Sequence, residues 1–341
     1  MRALAYLAEV GQPEVGDKVL LNITTVVKGL GTGGLAMMVA NLGQLPETQS
    51  GPGHLVKARY TPTQTMVLGV DDQESPHHEV LADADSIGGM PVVVADLHSS
   101  LPAILAGIRL VNPGLTVAYV MADGGALPAA FSRTAATLRE QGWLANVITT
   151  GQSYGGDLEA VTIHTGLLAA RHIVRADIAI IAQGPGNLGT GTRWGFSGVA
   201  AGEALNAAAV LNGQPIGCLR LSGADPRLRH QGLSHHSITA YGRVLNRPAT
   251  LALPDLSGSG IDEDLRIQVE QQVADLVGGA AHLGVATVSC AGGLAALEQT
   301  PVRLSTMGRG LSDDPIAFLA AMAAGRLAAD QLQDAPRDES P

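Results

Sequence analysis

A chain of 341 residues with 46% hydrophobic and 15% charged side chains has the apolar material for a large core and lies far from the composition of disordered chains. Its length suits one large domain plus a smaller one. The formal net charge of −10 excludes the broad basic field that nonspecific nucleic-acid binding needs, while leaving room for a local basic pocket around an anionic small molecule.

The first residues, MRALAYLAEVGQPEVGD, reach acidic side chains too early for a signal peptide. No apolar run approaches the ~18 residues of a membrane span, so a cytoplasmic protein without a membrane partner is expected. Short apolar runs punctuated by Gly and Pro follow. They include Val15–Asn22, the stretch TVVKGLGTGGLAMMVANLG, and HLVKARYTPTQTMVLGVDD from His54 to Asp72, and they predict a small β-rich unit. The acidic, Pro- and His-bearing stretch Asp71–Gly89 reads as a linker, which closes a first unit over residues 1–88.

From Pro91 the rhythm changes. Continuous apolar strands are predicted at 91–96, 116–123, 145–150, 178–182 and 216–221, with more near 250–253, 285–289 and 302–305. Helical patterns lie between them, at 101–111, 129–141, 158–174, 199–211, 262–277 and 315–332. Apolar strands alternating with helices mean βαβ units, so residues 89–332 are expected to form an α/β, Rossmann-like domain. Its sheet should be mostly parallel, with helices on both faces. Residues 333–341 read as a disordered acidic tail. Cys218 and Cys290 sit in apolar runs, which argues against a disulfide framework or a thiolate metal site.

In an open α/β sheet, ligands bind beyond the carboxyl ends of the strands. The five strand ends from Pro91 onward carry Asp96 and His98; Asp123; Gly151–Glu159 with Ser153 and Asp157; Gly184–Thr192; and Asp225 through Ser237, with Arg227, Arg229, His230, His235 and His236. One Gly-rich turn is ordinarily only a tight connection, and an Asp or Ser there only a helix cap. Five such turns at one edge favour a shared site.

Three chemistries compete for that site. Gly184, Gly186 and Gly189 match G-x-G-x-x-G after a strand, but no helix opens at once and no acid sits at a strand end ~20 residues on; the loop, with Thr190, Thr192 and Arg193, suits a phosphate cradle instead. GQSYG at 151–155 matches a nucleophile elbow, with Asp225 and a histidine after it in Ser–Asp–His order. In a chain with 43 glycines coincidence is the better explanation. Third, Asp96, His98, Asp123, Asp157 and His236 are candidate ligands of a divalent metal (Zn, Mn or Mg), without a spaced signature such as H-E-x-x-H. Adjacent His235 and His236 are not expected to point the same way on a regular element. The rival account has these histidines and Arg227, Arg229 and Arg243 binding an anion without metal.

The strings GTGGLAMMVANLG, GHLVKARYTPTQ, YGGDLEAV, QGPGNLGTGT, RHQGLSHHSITA and STMGRG together resemble a bacterial family, domain of unknown function 3866, from about Val15 to Leu327. The resemblance implies no activity. It implies that GGDLEAV and SHHS are core motifs and that Ser153 is not a fixed position, which favours the Asp/Glu/His set over the elbow. The expectation is therefore a hydrolase, metal-assisted or not, acting on a phosphorylated or otherwise anionic small molecule. Asp157, Glu159, His230 and His235 would be its catalytic groups, and Gly184, Gly186, Gly189, Thr190, Thr192 and Arg229 its ligand-binding groups. A non-catalytic nucleotide or metabolite sensor is the alternative, and a serine esterase through Ser153 ranks lower. A homo-oligomer is expected, with a small-molecule ligand and no nucleic acid.

Overall fold

The computed structural model describes residues 1–29, 34–44 and 51–334. In the front part, β1 (Ala3–Leu4), the one-turn helix α1 (Leu7–Val10), β2 (Val19–Asn22), a short α2 (Thr24–Val27) and β3 (Ala36–Asn41) form a three-stranded sheet. Within it β3 is parallel to β1 and antiparallel to β2. A hairpin of β4 (Leu55–Lys57) and β5 (Thr65–Val67) follows. The expected linker is ordered: it turns through α3 (His78–Leu81), and Val70, Leu81 and Ile87 join the main core.

The body is one sheet of eight strands, all parallel. In chain order its elements are β6 (Pro91–Val94), α4 (Leu101–Val111), β7 (Val117–Ala122), α5 (Arg133–Glu140), β8 (Asn146–Thr149), β9 (Leu158–Glu159), α6 (Ile163–His172), β10 (Ile178–Gln183), α7 (Ala200–Val210) and β11 (Gln214–Cys218). A small pair, β12 (Leu221–Ser222) and β13 (Gly232–Leu233), and the short α8 (His235–Thr239) then precede β14 (Ala249–Asp255), α9 (Glu263–Gly278), β15 (Leu283–Ser289) and α10 (Gly293–Glu298). A last hairpin of β16 (Ser305–Thr306) and β17 (Arg309–Gly310) leads into α11 (Pro315–Asp334). Across the sheet the order is β15-β14-β11-β6-β10-β7-β8-β9.

The central strands β6, β7 and β10 are buried along their whole length, as continuous apolar runs require when both faces are covered. On one face α4 crosses α11 closely enough that a Cβ on Gly107 or Gly325 would run into the other helix's backbone. The other face carries α6 and α7. Side chains start several helices where the sequence offers an N-cap: Ser132 accepts from Ala135 N, Thr162 from Thr165 N and Asp262 from Leu265 N. No helix among the described residues is long and apolar enough to cross a membrane.

Three expectations are corrected. The helix drawn from 158 starts at Ile163, because Leu158 and Glu159 form the edge strand β9 beside β8. The strand expected at 302–305 is only the two-residue β16, outside the large sheet. Of the expected acidic tail, Gln333 and Asp334 extend α11, and the remainder lies outside the described residues.

The front part covers the open edge at β9. The Val70 N–H donates to the Glu159 carbonyl at 2.7 Å and the Ala58 N–H to the Gln152 carbonyl at 3.4 Å. The fully buried Lys57 ammonium donates to the carbonyls of Ser153 and Ala160 at 2.9 Å each. Backbone groups that an edge strand would otherwise expose are thereby paired.

Candidate functional site

Chain direction reverses between the two middle strands. From β6 the chain runs through α4 to β7 on one side, and from β10 through α7 to β11 on the other. The helices therefore leave on opposite faces and open a crevice between the carboxyl ends of β6 and β10, the usual ligand position in such sheets. Segments Leu97–Ser99 and Pro185–Gly191 line it. Phe131–Thr134, the stretch after β11 and the segment around β16 close it into a cavity of about 670 Å³, the size of a small-molecule pocket.

The charge in this cavity is opposite to that of the chain. Arg133, Arg220, Arg227, Arg229 and Arg303 line it together with four histidines, and among the described residues no Asp or Glu lines it. Two arginines are anchored from behind: Arg220 by Asp96 at 3.2 Å and Arg227 by Asp225 at 2.8 Å. Arg133, Arg229 and Arg303 enter no ion pair among the described residues. Asp225 is buried, and Arg309 reaches it from β17 at 3.2 Å. Hydrogen bonds from Arg227 hold its carboxyl well below the usual range against the opposing effect of burial. Burial pushes the Asp96 carboxyl up, but Arg220 and His236 outweigh it and keep the group below its ordinary value.

Three of the histidines form a cluster. The His230 ring ends a 3-10 turn, with Nδ1 2.7 Å from the Ser234 hydroxyl. Ser234 is also the N-cap of α8, accepting from the His236 N–H, so one hydroxyl fixes both the turn and the helix start. His235 and His236 open α8, and both rings reach the cluster. Their centroids lie 4.5 Å apart, and those of His230 are 4.9 and 5.0 Å from them. That corrects the expectation that the adjacent pair would diverge: at the first turn of a five-residue helix, side-chain torsions bring the two rings together. His236 stacks on Phe196 at 3.7 Å, nearly parallel. Its Nδ1 lies 3.3 Å from Asp96 Oδ2 and 2.9 Å from Arg220 Nη1. One ring nitrogen from each histidine lies within 4.8 Å of one from each of the others. The buried His235 Nε2 has no hydrogen-bond partner among the described residues. Burial, reinforced by the surrounding arginines, pushes His230 down to about 3 and His235 down to about 4, so both rings are neutral near pH 7.

His98 also lines the cavity, but both of its nitrogens are used. Nδ1 is 3.1 Å from the Tyr119 hydroxyl and Nε2 2.8 Å from the Ser132 hydroxyl. Tyr119 donates to the Gln183 carbonyl at 3.0 Å, so it accepts from His98 Nδ1–H, and Ser132 donates to Nε2. The ring is a neutral strut rather than a metal ligand, and burial lowers its pKa to about 4.

A match between residues 2–325 and a family model described as protein of unknown function (DUF3866) adds to this geometry. The chain belongs to that family. No curated protein and no solved structure matches it. In this DUF3866 chain the motifs QGPGNLGTGT and RHQGLSHHS both contribute lining residues to the cavity.

Other candidates are placed elsewhere. Asp157 accepts from the Val147 N–H at 2.8 Å and pairs with Arg139 at 2.6 Å. Val147 is the second residue of β8, so this carboxylate lies toward the amino edge of the sheet. Glu159 is buried against Lys57 (3.4 Å), the Thr149 hydroxyl (2.6 Å) and the Gly155 N–H (2.6 Å). Asp123 caps a turn, accepting from the N–H groups of Gly125, Ala126 and Gln152. The proposed metal set Asp96, His98, Asp123, Asp157 and His236 is thus dispersed, and within it only Asp96 and His236 touch. Ser153 is fully buried, with Asp123 as its hydroxyl's partner at 3.5 Å; no elbow with a histidine is assembled. Thr190 and Thr192 bond to each other and to the Gly195 backbone. They shape the loop while Gly186, Gly189 and Gly191 face the cavity, and Gly184 packs on Met121 and Leu127. Gly186 has φ +104°, a conformation that needs glycine.

Sequence reasoning missed Arg220, Arg303 and Arg133. Arg220 follows β11 within an apolar run, and Arg303 lies two residues before the STMGRG motif. A tally of arginines near strand ends, made beside the tally of acids and histidines, would have found the first.

Proposed function

We propose that this protein is a hydrolase of a phosphorylated or otherwise anionic small molecule, bound in the crevice between β6 and β10. One observation carries the reading: in a chain of net charge −10, a cavity of about 670 Å³ is lined, among the described residues, by five arginines and no carboxylate. Guanidinium groups recognise phosphate and carboxylate oxygens through paired, charge-assisted hydrogen bonds, and three of these five enter no ion pair among the described residues. Asp96 and Asp225 offset only two of the five guanidinium charges, and the remaining repulsion favours a ligand that supplies negative charge. The clustered imidazoles face the same space and are the groups suited to activate water, as general base or through a divalent metal. Ser153 has neither exposure nor a histidine for a covalent route.

The test is a release assay on a panel of phosphomonoesters, diphosphates and sugar phosphates with the purified full chain. Turnover of at least one compound is expected. Arg229→Ala and Arg303→Ala should each lower kcat/KM about tenfold to hundredfold, the weight of a charged hydrogen bond of ~1.5–3 kcal/mol. Saturable binding with no product from any compound would replace the hydrolase by a receptor for the same ligand class. Absence of both would sink the reading.

A further inference from the structure

We propose that His230, His235 and His236 form a three-histidine site for one zinc-class divalent cation, with Asp96 as the residue that orients His236. The site shares the cavity described above, but its existence does not depend on turnover.

Geometry carries this inference. The three rings converge from two short elements, a 3-10 turn and the first turn of α8, tied by Ser234. Each ring has one nitrogen to offer. His230 uses Nδ1 for Ser234, and His236 has Nδ1 at Asp96 and Arg220, which leaves Nε2 of each. The His235 Nε2 is buried with no partner among the described residues, an unfavourable position for a polar atom unless something bonds it. A cation would supply that bond. Ligand nitrogens around tetrahedral zinc, at bonds of about 2.0–2.1 Å, are separated by roughly 3.3 Å. The spacing here is within 4.8 Å, so small ring rotations close the set, and His235 breaks no hydrogen bond in turning.

The donor set selects the metal. Three imidazoles and no oxygen ligand suit zinc, cobalt or nickel and are poor for magnesium or calcium. A carboxylate that accepts the Nδ1–H of a ligating histidine is the common outer partner of such sites, fixing the tautomer with Nε2 toward the metal. Arg220 Nη1 donates to His236 Nδ1 at 2.9 Å, so Asp96, buried and 3.3 Å away, takes that position when the metal binds Nε2 and the ring proton moves to Nδ1 in place of the Arg220 contact. Two buried carboxylates, Asp96 and Asp225, help offset the added charge beside the arginines. Three protein ligands leave a fourth position for water or a ligand oxygen, the arrangement of catalytic rather than structural zinc.

The experiment uses the full chain, stripped with a chelator, dialysed and titrated with Zn²⁺ or Co²⁺ in the absence of any substrate. One equivalent per chain is expected by elemental analysis, with the visible absorption of tetrahedral Co²⁺ and a raised Tm. His235→Ala should abolish the cobalt band. Asp96→Asn should weaken Zn²⁺ about tenfold to hundredfold, and His282→Ala, far along the chain, should change nothing. Wild-type protein that takes up less than about a tenth of an equivalent, or a cobalt spectrum unchanged in His235→Ala, would overturn the site. Because the wild-type spectrum needs no variant to fold and no substrate, its failure is separable from failure of the hydrolase reading.

Discussion

Glu159→Gln is expected to destabilise the protein by about 3–5 kcal/mol, the cost of leaving a buried charge without its partner. Lys57 is fully buried, and its ammonium meets two carbonyls and the Glu159 carboxylate. Burial pushes each member of the pair toward its neutral form, and each partner opposes that push. Desolvation is large here, so the pair persists only because every polar atom is satisfied: Glu159 also accepts from the Thr149 hydroxyl and the Gly155 N–H. Glutamine keeps the shape but strands the ammonium. Lys57→Met should cost a similar amount, and the double variant Lys57→Met/Glu159→Gln should recover part of the sum, since neither charge then remains. Urea denaturation at pH 7 measures all three. Single variants that each lose less than about 1 kcal/mol would mean that the pair behaves like an exposed one. Ligand affinity should stay unchanged throughout, because this pair belongs to the docking of the hairpin on the sheet edge and not to the cavity.

Stability should also fall between about pH 6.5 and pH 4, and His98→Gln should flatten part of that fall. The imidazole is neutral in the folded state, with its pKa lowered by burial to about 4 from an unfolded value of 6.5. Above pH 6.5 neither state binds the proton and the residue contributes nothing to the slope. As pH drops toward 4 the unfolded chain protonates first, so unfolding is favoured; below that both states are protonated and the loss is complete. A shift of that size corresponds to at most about 3 kcal/mol, reduced by the partly open side that the ring keeps on the cavity. Glutamine can still donate to Tyr119 and accept from Ser132, yet has no proton to gain. Denaturation midpoints at pH 7 and pH 4.5 check this: identical pH dependence in wild type and variant would refute the neutral-strut role.

Much of the fold was legible because its signal is strong. The strands Pro91–Val94 and Val117–Ala122 inside the runs PVVVAD and TVAYVMAD are fully buried, and a parallel sheet covered by helices on both faces requires that continuous apolarity. The crevice was legible for the same reason, since parallel strands put all their exits at one edge. What failed was the inference from a strand's end to a side chain's position. The turn after β8 doubles back, so Asp157 bonds to the strand's beginning and Glu159 enters an edge strand facing Lys57. A two-residue strand carries no periodicity to announce it. Asp123 fell to the ordinary role of its type, capping a turn. The histidines were found, but their convergence depends on Ser234 serving two elements, and the arginines were underweighted because the net charge is negative.

The central claim is that the β6–β10 crevice holds an anion. Calorimetric titration of inorganic pyrophosphate into the full chain, at low and high salt, tests it most directly. One saturable site per chain is predicted, weakening as salt screens the guanidinium charges. Arg229→Ala and Arg303→Ala should each lose about tenfold to hundredfold in affinity, while Arg266→Ala, which removes only the exposed pairs of α9, should bind as wild type does. Absence of saturable binding, or equal affinity in the cavity variants and the α9 control, would contradict the account.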